Sequence, residues 1–319
     1  MAFAKAESGS EGSISPDLHP RFTRCVRDAR VKMQDEAIAR KRFGFTRRRM
    51  LAALVAGGAG ALLDAFWFEP GHLTVTRKEM RTRQLPPGLD GLRIGVLSDF
   101  HFRPGDDDEL VAKAVAQVRR EKLDLIALTG DYTSGNLRVV PPLLALLEKM
   151  SAAHGVFAVL GNHDGWRGQP EVIRRLFEKA GFSFLINQNS QLSVRGEKLA
   201  IAGTDFVWKG RPDPERTLRG ISKTTPVVAL VHEPDYFDAM TARRDIQLQL
   251  SGHTHGGQCR VPLIEYAPRT VSYGRIYNYG HYARGDSNLF VTRGVGTVGV
   301  RVRFACPPEL AILTLRTGA

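Results

Sequence analysis

Apolar runs alternate with amphipathic stretches between residues 92 and 180. Short runs of branched apolar residues indicate buried strands, and apolar residues spaced three and four apart indicate helices. The predicted strands are residues 93–97, 123–128 and 155–160. The predicted helices are residues 107–120, 139–150 and 170–180. This βαβαβα order predicts a largely parallel sheet that is covered by helices.

Shorter strand patterns follow in the second half of the chain. They lie at residues 182–186, 191–195, 199–202, 227–231 and 245–251. Beyond residue 257 the chain is rich in Gly, Tyr, Arg and Val, which favours several further short strands. We therefore expect an α/β protein with two mixed sheets packed face to face and helices outside, a four-layer α/β/β/α sandwich.

The chain before residue 46 has a different composition. Residues 1–20 are rich in Ser, Gly, Glu and Pro and show no periodicity, which is typical of disorder. Half of the formal net charge of +12 lies in residues 1–49, so the remainder is only mildly basic. A mild excess favours an anionic substrate or a membrane surface, or is simply a solvated basic face, and does not argue for nucleic acid. Residues 1–45 are predicted to be a disordered basic region.

A Thr-Arg-Arg-x-apolar-Leu motif containing Arg47 and Arg48 precedes an apolar run at residues 50–63. This order looks like a twin-arginine export signal. The run is short for a membrane span, although residues 65–68 extend it if one aspartate is tolerated. Residues 46–68 are therefore predicted to be a signal or signal anchor, with a buried core helix as the alternative.

The arginines lie before the apolar run, which favours a chain whose N-terminus is inside and whose C-terminal domain is outside. Residues 69–91 are predicted to be a linker with an edge strand at residues 73–77. Residues 92–319 are predicted to form one domain.

Polar clusters follow five of the predicted strands. They contain Asp99 and His101, Asp131, Asn162 to Asp164, His232, and His253 and His255. Each cluster alone has an ordinary reading as a polar loop, but sites in open α/β sheets form beyond the carboxyl ends of strands. Histidines two positions apart past a strand end lie roughly 6–7 Å apart on one side. Such a pair can serve two metal ions that are about 3.5–4 Å apart.

In this order, the five clusters resemble the motifs of calcineurin-like metallophosphoesterases over about residues 92–315. A narrower resemblance rests on Glu69-Pro70, on residues 253–258, and on residues 291–297 with Pro308-Glu309. It indicates a branch of exported or membrane-tethered bacterial phosphodiesterases. That branch is similar to enzymes that cleave the pyrophosphate of UDP-2,3-diacylglucosamine.

The resemblance implies a role for each cluster. It implies two divalent ions, Mn, Zn or Fe, with Mn favoured in vitro. One ion would be held by Asp99, His101 and His255, and the other by Asn162, His232 and His253, with Asp131 bridging both. His163 would be the general acid or a transition-state stabiliser, oriented by Asp164. Carboxylate, amide and imidazole ligands suit such metals, and a pair of them supports in-line attack of water on phosphorus.

The expected function is hydrolysis of a phosphodiester or pyrophosphate bond at a bacterial membrane, in a lipid-linked substrate such as UDP-2,3-diacylglucosamine. The expected partners are the membrane surface and the twin-arginine export machinery. The domain is expected on the outer side of the membrane, or cleaved and soluble in the periplasm. The alternatives are a nuclease, a broad-specificity phosphatase, and a non-catalytic interaction module on the same fold.

Aromatic residues lie beside the candidate ligands, at Phe100, Phe102, Tyr132 and Trp166. They could contact acyl or glycosyl parts of such a substrate, and ordinary packing beneath the loops is the alternative.

Overall fold

The structure is a computed structural model that describes residues 46–83, 85–166, 169–262, 267–269 and 271–318. The predicted disorder of residues 1–45 lies outside the described residues. Internal contacts divide the chain into two compact units, Met1–Ala59 and Gly60–Ala319. The second unit contains every strand described below.

A helical stretch begins at Arg47 and continues without interruption to Gly71. It consists of α1 (Arg47–Leu63), a π-helical turn (Asp64–Phe68) and a 3-10 turn (Glu69–Gly71). The helix thus continues through the aspartate that limited the predicted apolar run. It is long and apolar enough to cross a membrane, by length and composition only, and signal sequences share these features. None of the residues of α1 is buried, which argues against a core helix.

The first sheet has the strand order β1-β12-β2-β3-β4-β5. Its strands are β1 (Thr74–Thr82), β2 (Arg93–Leu97), β3 (Leu125–Leu128), β4 (Val156–Ala158), β5 (Ser183–Phe184) and β12 (Glu309–Thr317). β2 to β5 are parallel to one another, β12 is antiparallel to β2, and β1 pairs in parallel with β12. β1 lies at the edge of this sheet, where residues 73–77 were expected to form an edge strand, and it is longer than expected because it pairs along its whole length with β12.

The second sheet has the order β10-β11-β9-β8-β7-β6. Its strands are β6 (Gln188–Val194), β7 (Glu197–Gly203), β8 (Val227–Leu230), β9 (Leu248–Ser251), β10 (Gly280–Arg284) and β11 (Ser287–Val291). The four central strands are parallel, and β6 and β10 are antiparallel edges. Both sheets are therefore mixed, as predicted.

Apart from one four-residue helix at the strand ends, Asn162–Gly165, the helices cover the outer faces of the sheets. They are α2 (Asp108–Arg120), α3 (Val140–Leu147), α4 (Asn162–Gly165), α5 (Pro170–Lys179), α6 (Pro214–Thr217) and α7 (Phe237–Thr241). In β3, Leu125 and Ala127 face the core between the two sheets, and Ile126 and Leu128 face α2 and α3. Both faces of this strand are thus buried, which explains its uninterrupted apolar sequence. The four-layer α/β/β/α prediction is confirmed.

Candidate metal centre

The polar clusters meet because β2, β3, β4, β8 and β9 end at the same edge of the two facing sheets. Their backbones are joined directly: the Asp99 N–H donates to the Gly130 carbonyl, and the Gly252 N–H donates to the His232 carbonyl. The Nδ1–H of His232, from the second sheet, donates to the Thr129 carbonyl of the first sheet at 2.6 Å. The site is therefore assembled across the interface between the sheets.

Among the residues that the structure describes, three groups of potential metal ligands occur, and the ligand atoms of each group lie within 4.8 Å of one another. They are Asp99, His101 and His255; Asp131, His232 and His253; and His101, Asp131 and His163. The first two groups correspond to the predicted ion sites, and Asp131 Oδ2 is 3.4 Å from His101 Nε2 and 3.2 Å from His232 Nε2. The third group shows that His163 is also close enough to His101 and Asp131 to bind a metal ion. That His163 is not a ligand therefore stays a prediction.

The candidate ligands offer buried atoms that lack hydrogen-bond partners. These are Nε2 of His101 and His232, both ring nitrogens of His255, and Oδ1 of Asn162. Buried polar atoms in proteins are nearly always hydrogen-bonded, so a cluster of unpaired ones fits a site that binds metal ions. Three imidazoles and an amide oxygen around a shared carboxylate fit a pair of borderline divalent ions.

The opposite nitrogen of several of these imidazoles is held by the protein. His101 Nδ1 lies 3.0 Å from the Ser134 hydroxyl, and the Nε2–H of His253 donates to the Ser272 carbonyl at 2.7 Å. Together with the bond from His232 to Thr129, these contacts aim one nitrogen of each ring at the centre. Such contacts select the tautomer and orientation of a ligating histidine.

Burial controls the charge of two of the histidines. It lowers the pKa of His253 to about 3, with the charge of His232 acting in the same direction. Burial and His101 likewise hold the pKa of His255 well below its usual value. Both rings are therefore neutral near pH 7, which is the form that binds metal.

The backbone at the site is unusual. Five candidate ligands have positive φ angles between 40° and 72°: Asp99, His101, Asp131, His253 and His255. Side-chain-bearing residues rarely adopt this region, and such strain is concentrated at functional sites. A Cβ on Gly161 would lie 2.2 Å from Asp131 Oδ1, and one on Gly252 would lie 2.2 Å from Asp99 Oδ2. Only glycine lets these loops approach the carboxylates so closely.

The two predicted catalytic residues have different surroundings. The half-buried ring of His163 lies at the centre, 4.8 Å from that of His101, and its backbone N–H donates to Asp131 Oδ1 at 2.8 Å. The buried Asp164 carboxylate instead accepts the backbone N–H groups of Tyr132, Thr133 and Gly161. Asp164 therefore fixes the loops around Asp131 rather than the His163 ring, which corrects the predicted contact.

Most of the aromatic residues beside the ligands belong to the core. Phe100, Phe102 and Tyr132 are buried, and the Tyr132 hydroxyl donates to the carbonyls of Leu128 and Val159. Of the two interpretations that the sequence left open for these three residues, ordinary packing holds, because they are buried between the first sheet and its helices. Trp166, at the end of α4, is 39% exposed and remains a candidate.

The sequence reasoning missed a buried support behind Asp99. Arg303 is fully buried and donates to the carbonyls of Arg293, Gly294, Gly296 and Cys306. The loop that it holds is joined to Asp99 by the Gly296 N–H, which donates to the Asp99 carbonyl at 2.8 Å. An isolated arginine in a basic chain carries no sequence signal for this role.

Glu69 and Glu233 were also not assigned. The Glu69 carboxylate accepts the backbone N–H groups of Ala305 and Cys306, next to the loop of Arg303. Glu233 is fully buried beside His232 and accepts the N–H groups of Val207 and Trp208 at 2.9 Å each. The position of Glu233 next to a candidate ligand was the available signal, and the target loop lies 25 residues away in sequence.

The sequence of this chain is similar to those of known proteins. The family model described as calcineurin-like phosphoesterase matches residues 92–257. The chain is 34% identical over 275 residues to an uncharacterized metallophosphoesterase, YkuE, of Bacillus subtilis, covering 84% of this chain and 95% of that protein. It is 30% identical to the phosphodiesterase YaeI of Escherichia coli, covering 85% and 99%. A transmembrane protein with metallophosphoesterase domain from Danio rerio is 26% identical, covering 90% and 66%.

Proposed function

The chain belongs to the calcineurin-like phosphoesterase family, and on that premise we propose that it is a dinuclear phosphodiesterase or pyrophosphatase that acts on a lipid-linked substrate. Membership of the family makes it a metal-dependent phosphoester hydrolase. The observation that supports the dinuclear assignment is the set of unpaired buried atoms around Asp131, which the two predicted ligand sets share. Asp99, His101 and His255 would hold one ion, and Asn162, His232 and His253 the other.

Two divalent ions, when bound, would supply a nucleophile from water and neutralise charge on the phosphate. The protein's own contribution is orientation: the loops after the strands fix the ligands, and Asp131 joins both sets. His163 faces the same space from α4. Burial lowers the pKa of His163. Its ring can donate a hydrogen bond to the leaving oxygen even when neutral, and can transfer a proton when charged.

The lipid-linked substrate is the finer part of the proposal. The helical stretch Arg47–Gly71 supports it, since such a stretch can hold the enzyme at a bilayer where amphiphilic substrates are concentrated. The resemblance to enzymes for UDP-2,3-diacylglucosamine suggests a pyrophosphate with a nucleotide and a lipid. The relative YaeI is named a phosphodiesterase, and this name supports diester hydrolysis by that relative.

Hydrolysis of three substrates tests this function. Metal-loaded protein would be assayed with bis-p-nitrophenyl phosphate, with p-nitrophenyl phosphate and with a UDP-linked lipid pyrophosphate. We expect the amphiphilic substrate to have the highest kcat/KM. A monoester that is preferred roughly tenfold or more would identify a phosphatase instead. Cleavage of nucleic acid would identify a nuclease, and no turnover with any metal would identify a non-catalytic module.

The cellular location is proposed on the twin-arginine motif. Residues 46–68 would be the signal or anchor, residues 69–91 a linker that adds strand β1, and residues 92–319 the catalytic domain outside the membrane. Cleavage would leave the domain soluble in the periplasm. Because a site built from distant loops forms only on folding, a pathway for folded cargo suits it.

Export can be tested with matched arginine variants. Arg47→Lys combined with Arg48→Lys keeps the positive charge and removes the motif, so we expect the protein to stay in the cytoplasm. Arg49→Lys, at the variable position of the motif, is the control and should be exported. Normal delivery of the double variant would exclude the twin-arginine route without affecting the proposed chemistry.

A further inference from the structure

Two tryptophans form an aromatic surface beside the candidate metal centre. The rings of Trp166 and Trp208 lie edge to face, with centroids 4.9 Å apart. Trp166 is exposed and Trp208 is partly buried. We call this pair the tryptophan wall. Exposed tryptophan is uncommon, and next to a reaction centre it requires an explanation.

The tryptophan wall is held in place before any ligand arrives. The indole N–H of Trp166 donates to the carbonyl of Trp208 at 3.1 Å, and the Trp208 N–H donates to the buried Glu233 carboxylate. The neighbouring Phe206 packs so tightly on Gly165 that a Cβ there would lie 2.1 Å from its ring. Two loops from different sheets are thus fixed to each other. Because they are already ordered, less conformational entropy is lost when a ligand binds.

The wall contacts two histidines of the centre. The Trp166 ring is 4.5 Å from the His163 ring, and the Trp208 ring is 6.2 Å from the His253 ring. If His163 acts on the leaving oxygen, the atoms attached to that oxygen must extend past the His163 ring. The His163 ring lies between His101 of the metal centre and Trp166, so a leaving group that extends away from the metals past His163 would contact the tryptophan wall.

We propose that the tryptophan wall is the binding site for a planar ring, aromatic or heterocyclic, in the leaving group of the substrate. The proposal rests on the proposed phosphodiesterase function and adds a substrate class to it. Indole faces stack favourably on flat rings. Lys209 Nζ lies 6.0 Å from the Trp166 ring, so a negative charge carried beside the planar ring would be within its reach.

The test compares two diesters that differ only in the leaving group. Methyl phenyl phosphate has a planar leaving group, and methyl hexafluoroisopropyl phosphate has a branched one of similar acidity. Their intrinsic reactivities are therefore close, and a difference in kcat/KM reports recognition of the ring. For the metal-loaded full chain we expect the phenyl ester to be preferred roughly tenfold.

Variants of Trp166 distinguish recognition of the planar ring from a purely structural role of this side chain. Trp166→Leu keeps an apolar side chain without a flat face, so hydrolysis of the phenyl ester should fall more than that of the fluoroalkyl ester, and the preference should shrink to within about twofold. Trp166→Phe should restore most of the preference. Trp67→Leu, at another exposed tryptophan, is the control and should change neither rate. Equal losses for both esters in Trp166→Leu would show a purely structural role and overturn the proposal.

Binding of non-hydrolysable ligands makes the test independent of turnover. Benzylphosphonate carries a planar ring, and pentylphosphonate carries a flexible chain of similar size. Calorimetry should show tighter binding of benzylphosphonate to the wild type and no preference in Trp166→Leu. If benzylphosphonate binds more tightly but no diester is hydrolysed, the tryptophan wall is supported as a planar-ring site and the proposed phosphodiesterase function is rejected. Tighter binding of pentylphosphonate would reject the wall as a planar-ring site and indicate an acyl chain there instead.

Discussion

The metal centre and the tryptophan wall are neighbours, yet the protein builds them differently. The candidate metal ligands Asp99, Asp131 and His232 are buried, lie two or three residues after strand ends, and are each held by a hydrogen bond to the backbone of another loop. Trp166 and Trp208 lie on loops and depend on a few hydrogen bonds and one tight aromatic contact. The comparison indicates that the sheets position the candidate metal ligands, whereas the proposed substrate-binding residues are positioned by contacts between two loops.

The largest effect is expected from Asp131→Asn. The change keeps the shape of the side chain and removes the charge that the two ligand sets share, so metal content and diester hydrolysis should both be lost. Elemental analysis and the diester assay measure this, with Asp106→Asn at an exposed site as the control. A variant that retains two ions would show that Asp131 is not the bridge.

His163→Ala should lower kcat by roughly 10²–10⁴, the usual contribution of an acid–base group, while both ions remain bound. The loss should be smaller for substrates with good leaving groups, because they need less protonation. His154→Ala, at the opposite end of β4, is the control. Loss of one ion in His163→Ala would move this residue into the ligand set, which its distance from His101 and Asp131 permits.

Arg303→Met tests the support behind the metal centre. Four buried carbonyls would lose their donor, which should lower the free energy of unfolding by about 2–4 kcal/mol. For a domain of this size the melting temperature should fall by roughly 5–15 °C, and metal should bind more weakly because the loop behind Asp99 is released. Arg219→Met, at an exposed position, is the control and should melt like the wild type.

Glu233→Gln should have the smallest effect on activity. It tests whether the tryptophan wall can be disturbed without disturbing the metal centre. An amide can accept only one of the two N–H groups that the carboxylate accepts, so the loop that carries Trp208 should loosen. We expect roughly a fivefold loss in kcat/KM for the phenyl ester, with unchanged metal content. Glu148→Gln, which is exposed, is the control. Loss of metal in Glu233→Gln would instead place Glu233 in support of His232.

The strands and the ligand clusters could be predicted from the sequence because they depend on local order. Buried parallel strands have continuous apolar sequences, and the residue after each strand necessarily lies at the same edge of its sheet. Asp99, Asp131 and Asn162 could therefore be grouped from the sequence alone. His232 and His253 followed the same logic in the second sheet.

The partners of single side chains could not be predicted in this way. Phe102 and Trp166 are both aromatic residues beside a candidate ligand, yet one is buried under α2 and the other is exposed at the end of α4. Asp164 lies beside His163 in sequence but directs its carboxylate to the backbone of the neighbouring strand end. Which side of a loop faces the core depends on the element packed against it, and the sequence does not contain that information locally.

The sequence by itself determined the family, the two-sheet architecture and the residue types at the centre, because periodicity and order along the chain encode strands and their ends. The tertiary structure decided what long-range contacts control. It brought Arg303 beneath Asp99 and joined Glu233 to the Trp208 loop, and it left Trp166 exposed against His163. Such contacts join residues far apart in the chain, so they arise only when both sheets have packed and their loops meet.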